Sequence, residues 1–131
     1  PEPAVRLADA TADFLSALLE EYADEWVNKY MFHYRWFYDE NADSAALRIA
    51  QEMVPAGSPP EAAAQMAPAL KARMVPRLSF VGSGRDQLAN AALIERSFER
   101  CARLLDGALA QRAYLFGGRP AMADFGLYGQ F

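Results

Sequence analysis

The chain has 131 residues, 53% of them hydrophobic, and a formal net charge of −4. That size and apolarity fit a single domain with a real core and exclude a disordered chain. Acidic residues outnumber basic ones 17 to 13 and no Lys/Arg-rich run is present, so no nucleic-acid partner is expected.

The single cysteine, Cys101, rules out an internal disulfide and points to a reducing, cytoplasmic setting. No apolar run approaches the roughly 20 residues that cross a bilayer, so no membrane partner is expected. The opening "PEPAVRLADA" lacks the basic and apolar regions of a secretory signal. Residues 1–10 read instead as an interdomain linker, and 11–131 as one helical domain truncated at both ends.

Alanine is frequent, β-branched residues are few and no stretch alternates apolar with polar, which predicts an all-α chain. The first helix is expected over about 12–37, capped by Thr11, with Asp13 near the positive end of its dipole. Its apolar stripe runs through Leu15, Leu18, Leu19, Tyr22, Trp26, Tyr30, His33 and Phe37. The stretch "YDENAD" reads as a loop, followed by a short helix over 44–54 that Pro55 stops. In "AGSPPE", Ser58 stands as a cap, prolines fill the first turn and Glu61 completes a capping box. The third helix contains Pro68, which predicts a kink or break, and Gly82-Ser83-Gly84 closes the segment. A fourth helix is expected over 84–112, capped by Ser83, with Asp86 in its first turn and its stripe on Leu88, Ala91, Ile94, Phe98, Cys101 and Leu105. A fifth begins near Met122. Five helices joined by short loops make a multi-helix bundle.

Signatures of chemistry are sparse. One His and one Cys cannot build a Cys/His zinc site, and no HExxH or P-loop is present. Gly82-Ser83-Gly84 and Gly117-Gly118 read as turns that end helices, not as phosphate cradles. His33 falls on the apolar stripe and reads as a core histidine with one hydrogen bond in preference to a general base. Cys101 reads as a small buried hydrophobe, since nothing nearby in sequence lowers its pKa. The second face of the first helix turns from acidic (Glu20, Glu21, Asp24, Glu25), past Asn28, to a largely aromatic band of Met31, Phe32 and Trp36 with Arg35. An exposed band of that kind marks a ligand cleft or a subunit interface, or else a contact with another part of the same domain.

The acidic-then-aromatic first helix, the helices after it and the closing "YLFGGRPAMADFGLYG" together resemble the all-helical C-terminal domain of cytosolic glutathione transferases. In that family a Gly-x-x-Pro-[Ser/Thr]-x-Ala-Asp stretch opens a buried helix with a capping box and a hydrophobic staple. Gly117, Pro120, Ala123 and Asp124 fit it, and Pro120 with Phe125 stands at the staple positions. Ala121 departs from it, where the family has Ser or Thr. The resemblance implies that Asp124 is structural, its carboxylate on the backbone amide of Ala121. It further implies glutathione as co-substrate, bound mainly by an N-terminal thioredoxin-like domain that supplies the thiol-activating residue, so that no catalytic residue lies on this chain. The partners implied are a small hydrophobic electrophile and a second copy in a homodimer, and the process is detoxification by conjugation. Asp24 or Glu25 would reach the glutathione amino group. Asn28, Met31 and Arg35 would line the hydrophobic-substrate wall, with Arg35 offering positive charge. The competing expectations are a non-catalytic binding or assembly module, and a stand-alone helical binder of a small molecule.

Overall fold

The computed structural model describes residues 4–84 and 86–131. Pro1–Pro3, in the expected linker, and Arg85, at the expected start of the fourth helix, lie outside the described residues. The elements are α1 (Ala10–Tyr22), a π-helical turn (Ala23–Val27), α2 (Asn28–Trp36), α3 (Asp39–Met53), α4 (Ala62–Met74), a 3₁₀ segment (Val75–Val81), α5 (Leu88–Leu109) and α6 (Met122–Tyr128). No strand is present among the described residues beyond an isolated bridge between Tyr114 and Gly117, and the chain is all-α.

Local chemistry explains where the helices begin. Asp9, not Thr11, caps α1: its backbone is extended and its carboxylate accepts from the Ala12 amide at 2.8 Å. The carboxylate also adds a negative charge at the positive end of the dipole. Upstream of it, Arg119 donates to the carbonyls of Ala4 and Arg6, and Arg6 pairs with Asp13 at 2.9 Å. The "YDENAD" stretch is the first turn of α3 and not a loop, because Asp39 and Glu40 favour that end of the dipole. Pro55 ends α3 as its ring requires. Ser58 does not cap α4. Its hydroxyl donates to the Pro55 carbonyl at 2.7 Å, and the helix starts only at Ala62. Pro68 sits within α4 without interrupting it. Gly82, at φ 79°, closes the 3₁₀ segment in a left-handed conformation that suits glycine. α5 begins at Leu88, five residues after Ser83, so Ser83 is not its cap.

Contacts divide the chain into two compact units, one of residues 4–31 and 95–131, the other Phe32–Ile94. In the first, α1 packs on α6. The approach is close because α6 offers Ala123 and Gly126. A Cβ added at Gly126 would stand 3.3 Å from the Glu20 Cα. The face of the first helix that enters this core is Ser16, Ala23, Val27 and Tyr30. That corrects the expected stripe: Leu15, Leu18, Tyr22 and Trp26 are between 38% and 53% exposed. Small residues let two helix backbones approach, and that contact outweighs the larger apolar area of the neighbouring stripe.

In the second unit α3 packs on α4, and Trp36 lies among Ala42, Ala45, Ala46 and Leu78. Trp36 is 1% exposed and Phe32 packs against the same cluster. The expected exposed band of Met31, Phe32 and Trp36 therefore does not exist as such. Its two aromatics are core, because the small side chains of α3 leave a slot that an indole fills. His33 is fully buried beside the rings of Tyr34, Phe37 and Tyr38, with the Phe37 centroid at 4.6 Å.

Candidate functional site

The long first helix widens into its π turn at Ala23–Val27. Such turns re-aim side chains and recur at functional sites. Here Tyr22, Trp26 and Tyr30 stand in a row, and their polar atoms join. The Trp26 Nε1–H donates to the Tyr30 hydroxyl at 3.0 Å, and the Tyr30 and Tyr22 hydroxyls share a hydrogen bond of 3.2 Å. Tyr22 and Cys101 of α5 lie on the same wall. The Tyr30 ring meets the edge of Phe98 at 5.9 Å, and Phe98 meets Phe131 at 5.5 Å.

This row walls a cavity of about 340 Å³, with Leu19, Arg100, Leu104 and Leu127 among its other lining residues. Burial, and then the bond to Tyr30, push the Tyr22 phenol well above its ordinary value of 10.0. Burial raises the Cys101 thiol from 9.0, with the Tyr22 phenol opposing it. Both groups are thus protonated near neutrality, and the thiol is no activated nucleophile.

The same shifts set a pH dependence. A folded-state pKa above the unfolded one means that the folded chain holds protons the unfolded chain has lost. Stability is full below the ordinary values of 9.0 and 10.0 and falls as the pH rises past them. The urea midpoint is expected to drop on that alkaline side, and Tyr22→Phe is expected to make the drop shallower. Superimposable pH profiles for parent and variant would remove Tyr22 from this account.

A second cavity of about 450 Å³ lies beside α6, lined by Leu109, Tyr114, Pro120, Phe125, Tyr128 and Phe131 among others. Its one acid, Asp124, is fully engaged. One carboxylate oxygen accepts from the Leu115 amide at 2.9 Å and the other from the Ala121 amide at 2.8 Å. The Ala123 amide donates to the buried Ser16 hydroxyl at 3.1 Å. Pro120 and Phe125, at the staple positions, both border this groove, and Phe125 remains more than half exposed.

Ala121 is the N-cap and has no side-chain oxygen to return a bond to the Asp124 amide, which bonds the Ala121 carbonyl instead. Ala121→Ser is expected to raise stability by about 1 kcal/mol by completing the reciprocal pair. A chemical melt checks it, and an unchanged midpoint would mean that the buried position rejects the hydroxyl.

A third cavity of about 730 Å³ belongs to the second unit, where Lys71 pairs with Asp43 at 2.7 Å and Asp39 at 3.2 Å. Among the described residues no cluster of His, Cys, Asp or Glu is placed to hold a metal. Among the described residues no helix is long and apolar enough to cross a membrane.

Asp24 and Glu25 fall in the π turn with their side chains exposed, and the Glu25 carbonyl accepts from Lys29 Nζ at 2.7 Å. Asn28 and Met31 are half-buried one turn apart on α2, in the first unit. Arg35, exposed on the same helix, falls in the second. None of these five lines any of the three cavities. The residues that do line the first were legible as Tyr22, Trp26, Tyr30 and Cys101 on two helix stripes, but read as core. Compared with protein families, curated proteins and solved structures, the chain finds no match.

Proposed function

We propose that the chain is the hydrophobic-substrate half of a glutathione-transferase-like enzyme, with the bundle of the C-terminal type of that family. The observation that carries this reading is the turn from Gly117 to Asp124. Its carboxylate clasps the amides of Leu115 and Ala121, and an apolar groove free of unengaged charge opens beside it. Those are the motif residues on which the resemblance rests.

Conjugation requires a thiolate, an apolar slot that holds the electrophile near it, and stabilisation of developing negative charge. The groove supplies a slot for a neutral apolar electrophile. The resemblance alone, and not the groove, assigns Asp24 or Glu25 to the glutathione amino group, Asn28 and Met31 to the hydrophobic-substrate wall, and Arg35 to positive charge. The thiolate is generated on a thioredoxin-like domain of the intact protein. A cytoplasmic homodimer is part of the same reading.

The test is the coding sequence upstream of Pro1 together with an assay of the protein it encodes. A thioredoxin-like domain and glutathione conjugation to an aryl halide support the proposal. An upstream domain of another kind, or an initiation codon immediately before Pro1, ends it and leaves a binding module.

A further inference from the structure

The segment that leads into α1, residues 4–9, is tethered from two sides. From one side the Arg119 guanidinium donates to the Ala4 carbonyl at 2.9 Å and to the Arg6 carbonyl at 3.4 Å. From the other, the Asp13 carboxylate accepts from the Leu7 amide at 3.0 Å and pairs with the Arg6 side chain at 2.9 Å. Arg6 is thus gripped through its carbonyl and its side chain at once. The two Arg119 bonds are exposed, and surface contacts of that kind add little to global stability. A segment ahead of a first helix is loose unless something ties it down. What these tethers determine is the path by which the chain enters α1.

The base of the Arg119 tether is itself fixed. Arg119 stands in the connection between α5 and α6, where Tyr114 and Gly117 exchange backbone hydrogen bonds of 3.1 Å. Asp124 clasps the amides of Leu115 and Ala121, one on each side of Arg119 in the chain. Pro120, the next residue, borders the α6 groove. Groove wall, tether and entering segment therefore form one frame, all within the first unit.

We infer that Arg119 is a positioning residue that fixes the preceding domain relative to the α6 groove. The inference rests on the reading of this chain as the substrate half of a conjugating enzyme. There the thiolate stands on the preceding domain and the electrophile lies in the groove, so the direction in which the chain enters α1 governs how the two meet. A misplacement of about 1 Å between reacting groups can cost roughly a hundredfold in rate. A guanidinium suits the task, because its rigid fork reaches two carbonyls at once, whereas a lysine ammonium acts as a single point charge.

The test uses the intact protein with Arg119→Gln and Arg119→Lys, read in two ways. With glutathione saturating and an aryl halide varied, Arg119→Gln is expected to lower kcat about tenfold and leave KM unchanged, because the groove is untouched. Arg119→Lys is expected to fall between variant and parent. In backbone amide relaxation by NMR, the parent is expected to tumble as one body and Arg119→Gln as two partly independent ones. A merely structural arginine would lower the urea midpoint and leave kcat per folded molecule as it was. Unchanged kcat in Arg119→Gln, a rise in KM without loss of kcat, or identical tumbling of parent and variant would each overturn the inference. If the intact parent conjugates nothing, the conjugation reading fails, and the tumbling comparison alone decides the role of Arg119. An initiation codon immediately before Pro1 leaves no domain to position and overturns both.

Discussion

Replacing Asp124 with Ala is expected to destabilise the chain by about 3 kcal/mol, because hydrogen bonds to a charged group contribute about 1.5–3 kcal/mol each. The carboxylate bridges the amides of Leu115 and Ala121, nine and three residues away, and so ties the turn to the first residues of α6. Its loss leaves both amides without that acceptor in a part-buried setting and removes the acid from the first turn of a seven-residue helix. So short a helix has little intrinsic stability and depends on its ends and on packing. Asp124→Asn retains one acceptor oxygen and should fall between parent and Ala variant. Urea melts of the three proteins check this. An Asp124→Ala protein as stable as its parent would show that α6 is held by its contact with α1 alone.

Trp36→Ala carries an equal or larger effect, about 3–5 kcal/mol for deletion of a buried aromatic. The indole is enclosed by three alanines and Leu78, and small neighbours collapse poorly into a vacated space of that size. The damage should centre on Phe32–Ile94, the unit that Trp36 anchors. Amide exchange can separate the two units where a single melting curve cannot. Uniform loss of protection along the whole chain would mean that the two units unfold as one. Protection unchanged in α3 and α4 would remove Trp36 from the core role assigned to it.

The helical class, the stop at Pro55, the turn at Gly82 and the start of α6 near Met122 were legible because each rests on local chemistry. Thr11 and Ser58 failed as caps because a short polar residue nearby competed, or bonded elsewhere: Asp9 took the first role, and Ser58 turned to the Pro55 carbonyl. The core face of the first helix was misread for a different reason. Leu15, Leu18 and Trp26 outweigh Ser16 and Ala23 in any count of hydrophobicity, but the close approach of α6 at Gly126 is invisible until both helices are placed. The candidate site shows the same limit. Tyr22, Trp26, Tyr30 and Cys101 were visible as residues, but not as a cavity wall in which hydrogen bonds join the three aromatics.

The π turn also gives the first helix one place where its length can change at little cost. A π turn holds one residue more than an α-helical stretch of the same rise, and each residue of an α-helix advances the chain by roughly 100°. Removing a single codon from 23–27 therefore lets the turn relax into ordinary helix while the later side chains keep their direction, so Tyr30, His33 and Trp36 stay on their buried faces. The same deletion in the α-helical parts on either side would rotate every later residue by about 100°. Related chains should differ by one residue within this turn more readily than anywhere else in the helix.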